Sequence, residues 1–180
     1  MEQPCISIEL TDSFHVKPFY QNCRLLDVKA MPSHFSFEYP FFYDMLYCQQ
    51  KDAYSLWPWQ TRENYFHIFW EQKKEELRTS FHDRNLKAVR QPMLQSIAAF
   101  IDQMYWSAGK PVRSLVHDVI LTDLSTLPFA PLNSKERVNY LLKQPDRYLS
   151  FIQLDELEQE LVKKLAIYRR KQKIENESGR

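Results

Sequence analysis

The chain has 180 residues, enough for one compact domain that needs no disulfide or metal staple. Hydrophobic residues make up 44% and charged residues 26%, and the formal charge is +1, so no long-range field draws the whole chain to DNA or to an anionic membrane. The only glycines, Gly109 and Gly179, exclude a phosphate-cradling P-loop, a Rossmann turn and a nucleophile elbow, each of which needs two or three closely spaced glycines.

Residues 1–34 read as a partly irregular N-terminal extension. Ile6, Ile8 and Leu10 alternate with polar residues, which predicts one short strand, while Pro4, Pro18 and Pro32 interrupt the rest. No second strand is evident, so this one is expected to pack on helices or fray. The start, Met1-Glu2-Gln3-Pro4, lacks the basic-then-apolar layout of a signal peptide. Cys5, Cys23 and Cys48 are odd in number and widely spaced, as in a reducing compartment. The longest clearly apolar stretch, Ile97 to Ile101, is far too short for a membrane span, so a soluble, cytoplasmic chain without membrane contact is expected.

Residues 35–173 read as one helical domain. A short helix is expected over residues 40–50, burying Phe42, Leu46 and Tyr43. Pro58 is preset for a first helical turn, which predicts a long helix from Pro58 to His82 with Phe66, Phe69, Trp70, Leu77 and Phe81 on one stripe. On it, Glu71–Lys74 and Glu75–Arg78 pair at i,i+3. Pro92 is expected to open the next helix, 92–108, whose stripe is Leu94, Ile97, Ala98, Ile101, Met104 and Tyr105. Gly109 and then Pro111 end it. The apolar run 112–124 fits a buried helix or an isolated strand; helix is preferred because a strand would need a partner. Asn133 and Glu136 read as a capping box for a helix 134–143 that buries Val138, Leu141 and Leu142. A single turn, Tyr148 to Ile152, and a last helix, 153–173, follow, with Leu154, Leu157, Leu161, Leu165 and Tyr168 inward. The polar tail 174–180 is expected to be disordered. The whole is a compact all-α fold of five to seven helices.

Few constellations carry chemistry. His82-Asp83 and His117-Asp118 could be written, with Asp146 or Asp155, into the His…His-Asp…Asp order of metal-dependent HD-type phosphohydrolases. The apolar Val119-Ile120-Leu121 that follows favours a plain helix residue at His117. Cys5, Cys23, Cys48, His15 and His34 lack the two-to-five-residue spacing of a zinc site. No cofactor and no bound metal are expected. No catalytic carboxylate pair can be identified: Glu38, Asp44, Glu63 and Asp102 lie on or near aromatic-rich helices, where burial would raise a carboxyl pKa, and the plainer reading is a capping or surface carboxylate. Lys163, Lys164, Arg169, Arg170, Lys171 and Lys173 form a basic run that could touch phosphates weakly or simply be a solvated helix end. Of 26 aromatics, 14 lie within residues 35–70 with only Lys51 and Arg62 among them, which favours core packing over a nucleic-acid stacking platform. A few exposed ones, such as Trp57 and Trp59, could instead anchor a protein partner.

Asn133-Ser134-Lys135-Glu136-Arg137-Val138, Gln144-Pro145-Asp146-Arg147-Tyr148 and Ser150-Phe151-Ile152-Gln153-Leu154, followed by the helix Glu156–Lys164, resemble the YpoC-like family of Bacillota. Phe42-Tyr43-Asp44 and Trp57-Pro58-Trp59 add to the likeness, which covers about residues 38–168. The resemblance implies no catalytic residues. Genes of that family tend to sit beside those for endonuclease III and a DnaD-type replication protein, which implies a link to DNA metabolism. The expectation is therefore a non-catalytic interaction or accessory protein, with the HD-type phosphohydrolase and a weak nucleic-acid binder as alternatives.

Overall fold

A computed structural model describes residues 6–28, 35–49 and 54–178. Strands β1 (Ile6–Glu9) and β2 (Leu25–Val28) are followed by helices α1 (Phe42–Cys48), α2 (Tyr65–His82), α3 (Leu86–Ser107), α4 (His117–Thr126), α5 (Ser134–Lys143) and α6 (Tyr148–Ser178). More than half of the chain is helical, as expected.

The core forms around α3. From Met93 to Trp106 nearly every side chain is buried, because Ile97-Ala98-Ala99-Phe100-Ile101 is apolar on all sides and such a helix must be surrounded. The surrounding elements are α2, α4, α5 and α6. Phe66, Trp70, Ile97, Ile101, Leu141, Leu157 and Leu161 are fully buried, whereas Phe69 is half-buried at the rim.

Several boundaries differ from the sequence expectations. Pro58 opens a single 3-10 turn, Pro58–Gln60, and not a long helix. Thr61 is extended, and its hydroxyl donates to the Pro58 carbonyl. Helix α2 starts only where the Asn64 side chain accepts from the His67 N–H at 3.0 Å. Pro92 lies inside α3 and does not open it. Asn85 caps α3 instead, accepting from the Ala88 N–H at 3.3 Å. Helix α3 thus tolerates one missing donor at Pro92, whose carbonyl binds the Ser96 hydroxyl at 2.8 Å.

The end of α3 is as expected. Gly109 has φ 73, Gly109 N–H donates to Trp106 and Lys110 N–H to Tyr105, the paired closure that a left-handed glycine permits. The run 112–124 is helical only from His117, and Val116 and Val119 are exposed. Helix α5 spans its expected residues, but Asn133 is left-handed (φ 52) and its side chain makes no cap bond, so the capping box does not form. The turn at Tyr148 and the last helix are one continuous α6, since nothing between Ile152 and Gln153 breaks the backbone ladder. It continues through Ser178, past the start of the expected disordered tail; residues 179–180 lie outside the described residues.

The N-terminal strand has a partner. β1 pairs antiparallel with β2, with Ile6 opposite Val28 and Ile8 opposite Leu26. The four residues of β2 are too few to show an alternating pattern of their own. Ile8, Leu10, Phe14, Tyr20 and Val28 are buried and belong to the main core. The Tyr20 hydroxyl donates to the Pro40 carbonyl at 2.7 Å and Leu115 N–H donates to the Ser13 carbonyl at 2.7 Å, so the extension is docked onto the helices.

Candidate functional site

The phosphohydrolase set does not assemble. His82 is exposed in the last turn of α2, and His117 faces its neighbour Asp118 at 3.8 Å. His117 lines a hollow with Lys17, Arg90 and Lys143, cations where a metal would need carboxylates. Asp146 faces Arg90 at 3.6 Å, and Asp155 accepts from the Trp70 indole at 2.7 Å. Among the described cysteines, Cys23 donates to the Leu25 carbonyl at 2.8 Å and Cys48 to the Val112 carbonyl at 3.9 Å. Cys5 and His34 lie outside the described residues.

Trp57 and Trp59 are not exposed. Each is 8% accessible, the two rings stack with centroids 5.2 Å apart, and Tyr47 meets both edge-on. A hollow of about 390 Å³ is lined by Phe35, Phe37, Tyr65, Ile68 and Phe69.

Two aromatic-belt carboxylates from the sequence meet in the core. Asp44 on α1 accepts from the Trp106 indole at 3.1 Å and from Val112 N–H at 2.6 Å. Its other oxygen, Oδ2, and Oδ1 of Asp102 on α3 are buried without a hydrogen-bond partner, and the two carboxyl groups interact. One proton shared between the two carboxyl groups avoids two buried charges. Burial, and then the Asp44 charge, hold Asp102 well above the usual carboxylate range. Burial also raises Asp44, but its two N–H donors oppose the rise. Asp102 is therefore the protonated partner. Neither residue lines any of the surface hollows described, so the pair ties α1 to α3 and to residue 112.

A second carboxyl site was not evident in the sequence. His67 and Glu71 stand four apart on α2, hence on one face, and Glu158 faces them from α6. One ligand-capable atom from each lies within 4.8 Å of the others, and His67 Nδ1 is 2.6 Å from Glu158 Oε1. Glu158 is buried; burial raises its pKa, the His67 bond opposes the rise, and Glu71 and Asp155 add to it. The i,i+4 spacing of His67 and Glu71 is a weak signal alone, and Glu158 is 91 residues from His67.

The basic run divides in three. Lys164 is half-buried, its ammonium donating to the Ala130 carbonyl at 2.6 Å. Lys163, Arg170, Lys171 and Lys173 are exposed. Arg169 is half-buried and turns toward Arg62; burial, and then the Arg62 charge, lower its pKa. Arg62, Arg169, Gln172, Lys173, Asn176 and Glu177 line a hollow of about 400 Å³.

The motif residues of the second half meet across α5 and α6. Arg137 binds Gln153 at 2.8 Å and Glu160 at 2.6 Å, and the Ser150 hydroxyl donates to the Gln144 carbonyl at 2.6 Å. Among the described residues, no helix is long and apolar enough to cross a membrane. No solved structure matches the chain. The chain is 33% identical over 109 residues to the "Uncharacterized protein YpoC" of Bacillus subtilis (strain 168), an alignment spanning 59% of this chain and 65% of that protein. The family described as "YpoC-like protein" matches residues 61–173, so the Phe42–Asp44 and Trp57–Trp59 segments fall outside the matched span. With most of its length covered by that match, the chain belongs to the YpoC-like family.

Proposed function

We propose that the protein is a non-catalytic accessory protein that contacts nucleic-acid phosphates through the cationic end of α6. The observation that carries this reading is the convergence of Arg62 and Arg169 on one hollow, with Lys173, Gln172 and Asn176 as further donors. The acid in that hollow, Glu177, already faces Lys173 at 3.9 Å. Two guanidinium groups held near each other repel, and an anion placed between them relieves the repulsion while accepting from both forks. Lys163, Arg170 and Lys171 extend the same charge along the helix surface. The gene neighbourhood implied by the family resemblance, next to DNA repair and replication functions, points the same way.

A near-neutral chain makes such contact weak, sequence-independent and salt-sensitive. Fluorescence anisotropy with single-stranded and duplex DNA tests it, at about 50 and about 200 mM salt. Binding is expected at the lower salt only, and is expected to vanish in the double variant Arg62→Glu, Arg169→Glu. Arg84→Glu with Lys87→Glu, away from the hollow, should leave it unchanged. Absence of binding at the lower salt, or equal binding by the Arg62/Arg169 variant, overturns the reading.

A further inference from the structure

The geometry points to a zinc site formed by His67, Glu71 and Glu158 that clamps α2 to α6. It stands on residues separate from the Arg62/Arg169 hollow and does not depend on the nucleic-acid reading. An imidazole and two carboxylates are a donor set suited to Zn²⁺, and three protein ligands with one position left for water is a common arrangement for that ion. One donor atom from each side chain lies within 4.8 Å of the other two, so side-chain adjustment that opens the 2.6 Å His67–Glu158 hydrogen bond brings all three onto a single ion.

Burial and charge add to the geometry. Glu158 is 3% exposed, and its bond to the His67 ring at 2.6 Å orients it toward α2. Asp155, one turn earlier on α6, is fixed by the Trp70 indole at 2.7 Å and by Gln159 at 3.1 Å. It adds a further negative charge near Glu158. Lys74 is the cation that faces this group, bound to Glu71. A divalent ion at Glu71 replaces that ammonium, which is free to swing into solvent on an exposed stretch of α2. His67 and Glu71 are both about half-exposed, at 46% and 45% of their side-chain surface, so an ion has a direct path in.

Isothermal titration of the chelator-stripped chain with ZnCl₂ tests the site. One zinc per chain is expected. Glu71→Gln and His67→Gln should each weaken binding by at least the roughly 10–100-fold that loss of an outer-shell group costs a metal site. Both residues are partly exposed, so these variants keep the fold, and a wild-type circular dichroism spectrum verifies that. Lys74→Met, which removes the competing ammonium, should tighten binding. His82→Ala, an exposed histidine on the same helix but outside the cluster, should leave the affinity unaltered. No stoichiometric uptake, or an unchanged affinity in both Glu71→Gln and His67→Gln, overturns the proposal.

Discussion

Asp44–Asp102 and Glu158–His67 are both buried acid sites, yet they solve the same problem in different ways. Asp44 and Asp102 are enclosed among α1, α3 and the aromatic side chains, and among the described residues no cation pairs with them. The pair avoids two buried charges by keeping a proton, and its remaining charge is held by the Trp106 indole and the Val112 N–H. Glu158 sits where α2 and α6 meet the surface. Its partner is a half-exposed imidazole, with Glu71 beside it. Carboxylates sealed inside a core are satisfied by the fold itself, whereas a buried carboxylate one side chain away from water can take its compensating charge from solution.

The comparison breaks most visibly at Asp44. Asp44→Ala strands two buried N–H donors and an acid partner, so it should cost about 3–5 kcal/mol in urea unfolding. A loss under about 1 kcal/mol would show that the pair is not a structural tie. At the second site, Trp70→Phe keeps most of the ring packing but removes the donor to Asp155. The expected loss is about 1 kcal/mol, read by the same method. Asp102→Asn sharpens the contrast through pH. The folded chain holds a proton on Asp102 that the unfolded chain, with an ordinary value of 3.8, releases above that pH. Stability contributed by the native acid pair therefore declines as pH rises above that value. The amide donates to Asp44 as the protonated acid does, so Asp102→Asn should be more stable than wild type at pH 8 and should show a flatter pH profile. An unchanged profile would mean that Asp102 does not titrate with folding. Glu71→Gln should be the smallest change to the metal-free chain, within about 0.5 kcal/mol, because Glu71–Lys74 is a surface pair.

Much of the fold could be read from residue spacing because burial imposes a period. The stripes on α2, α3, α5 and α6 follow it, and Gly109 marks the end of α3 by a conformation that other residues resist. Starts were harder. Proline at 58 and 92 suggested first turns, but Asn64 and Asn85 offer a side-chain acceptor at the right place, and those bonds set where α2 and α3 begin. The strand β2 and the N-terminal docking depend on long-range pairing, which local alternation does not encode. The sites follow the same division. Asp44 and Asp102 stood out as acids among aromatics, yet their meeting depends on how α1 crosses α3. Glu158 looked like any surface glutamate on an amphipathic helix until α2 placed His67 against it. The basic run was visible, but its division into Lys164 bound to the Ala130 carbonyl, Arg169 against Arg62 and the rest exposed depends on the turn of α6 past residue 62.

The most direct test of the contrast between the two acid sites is the thermal midpoint with and without zinc, measured side by side on wild type, Asp102→Asn and Glu71→Gln. At a zinc concentration about 100-fold above Kd, binding adds about 2.7 kcal/mol, which for a chain of this size corresponds to roughly 5–11 °C. Wild type and Asp102→Asn should both rise by that amount, and Glu71→Gln, with binding weakened at least about 10-fold, should rise by no more than about half as much. An equal rise in Glu71→Gln, or no rise in wild type, would contradict the assignment of ion binding to the His67–Glu71–Glu158 cluster.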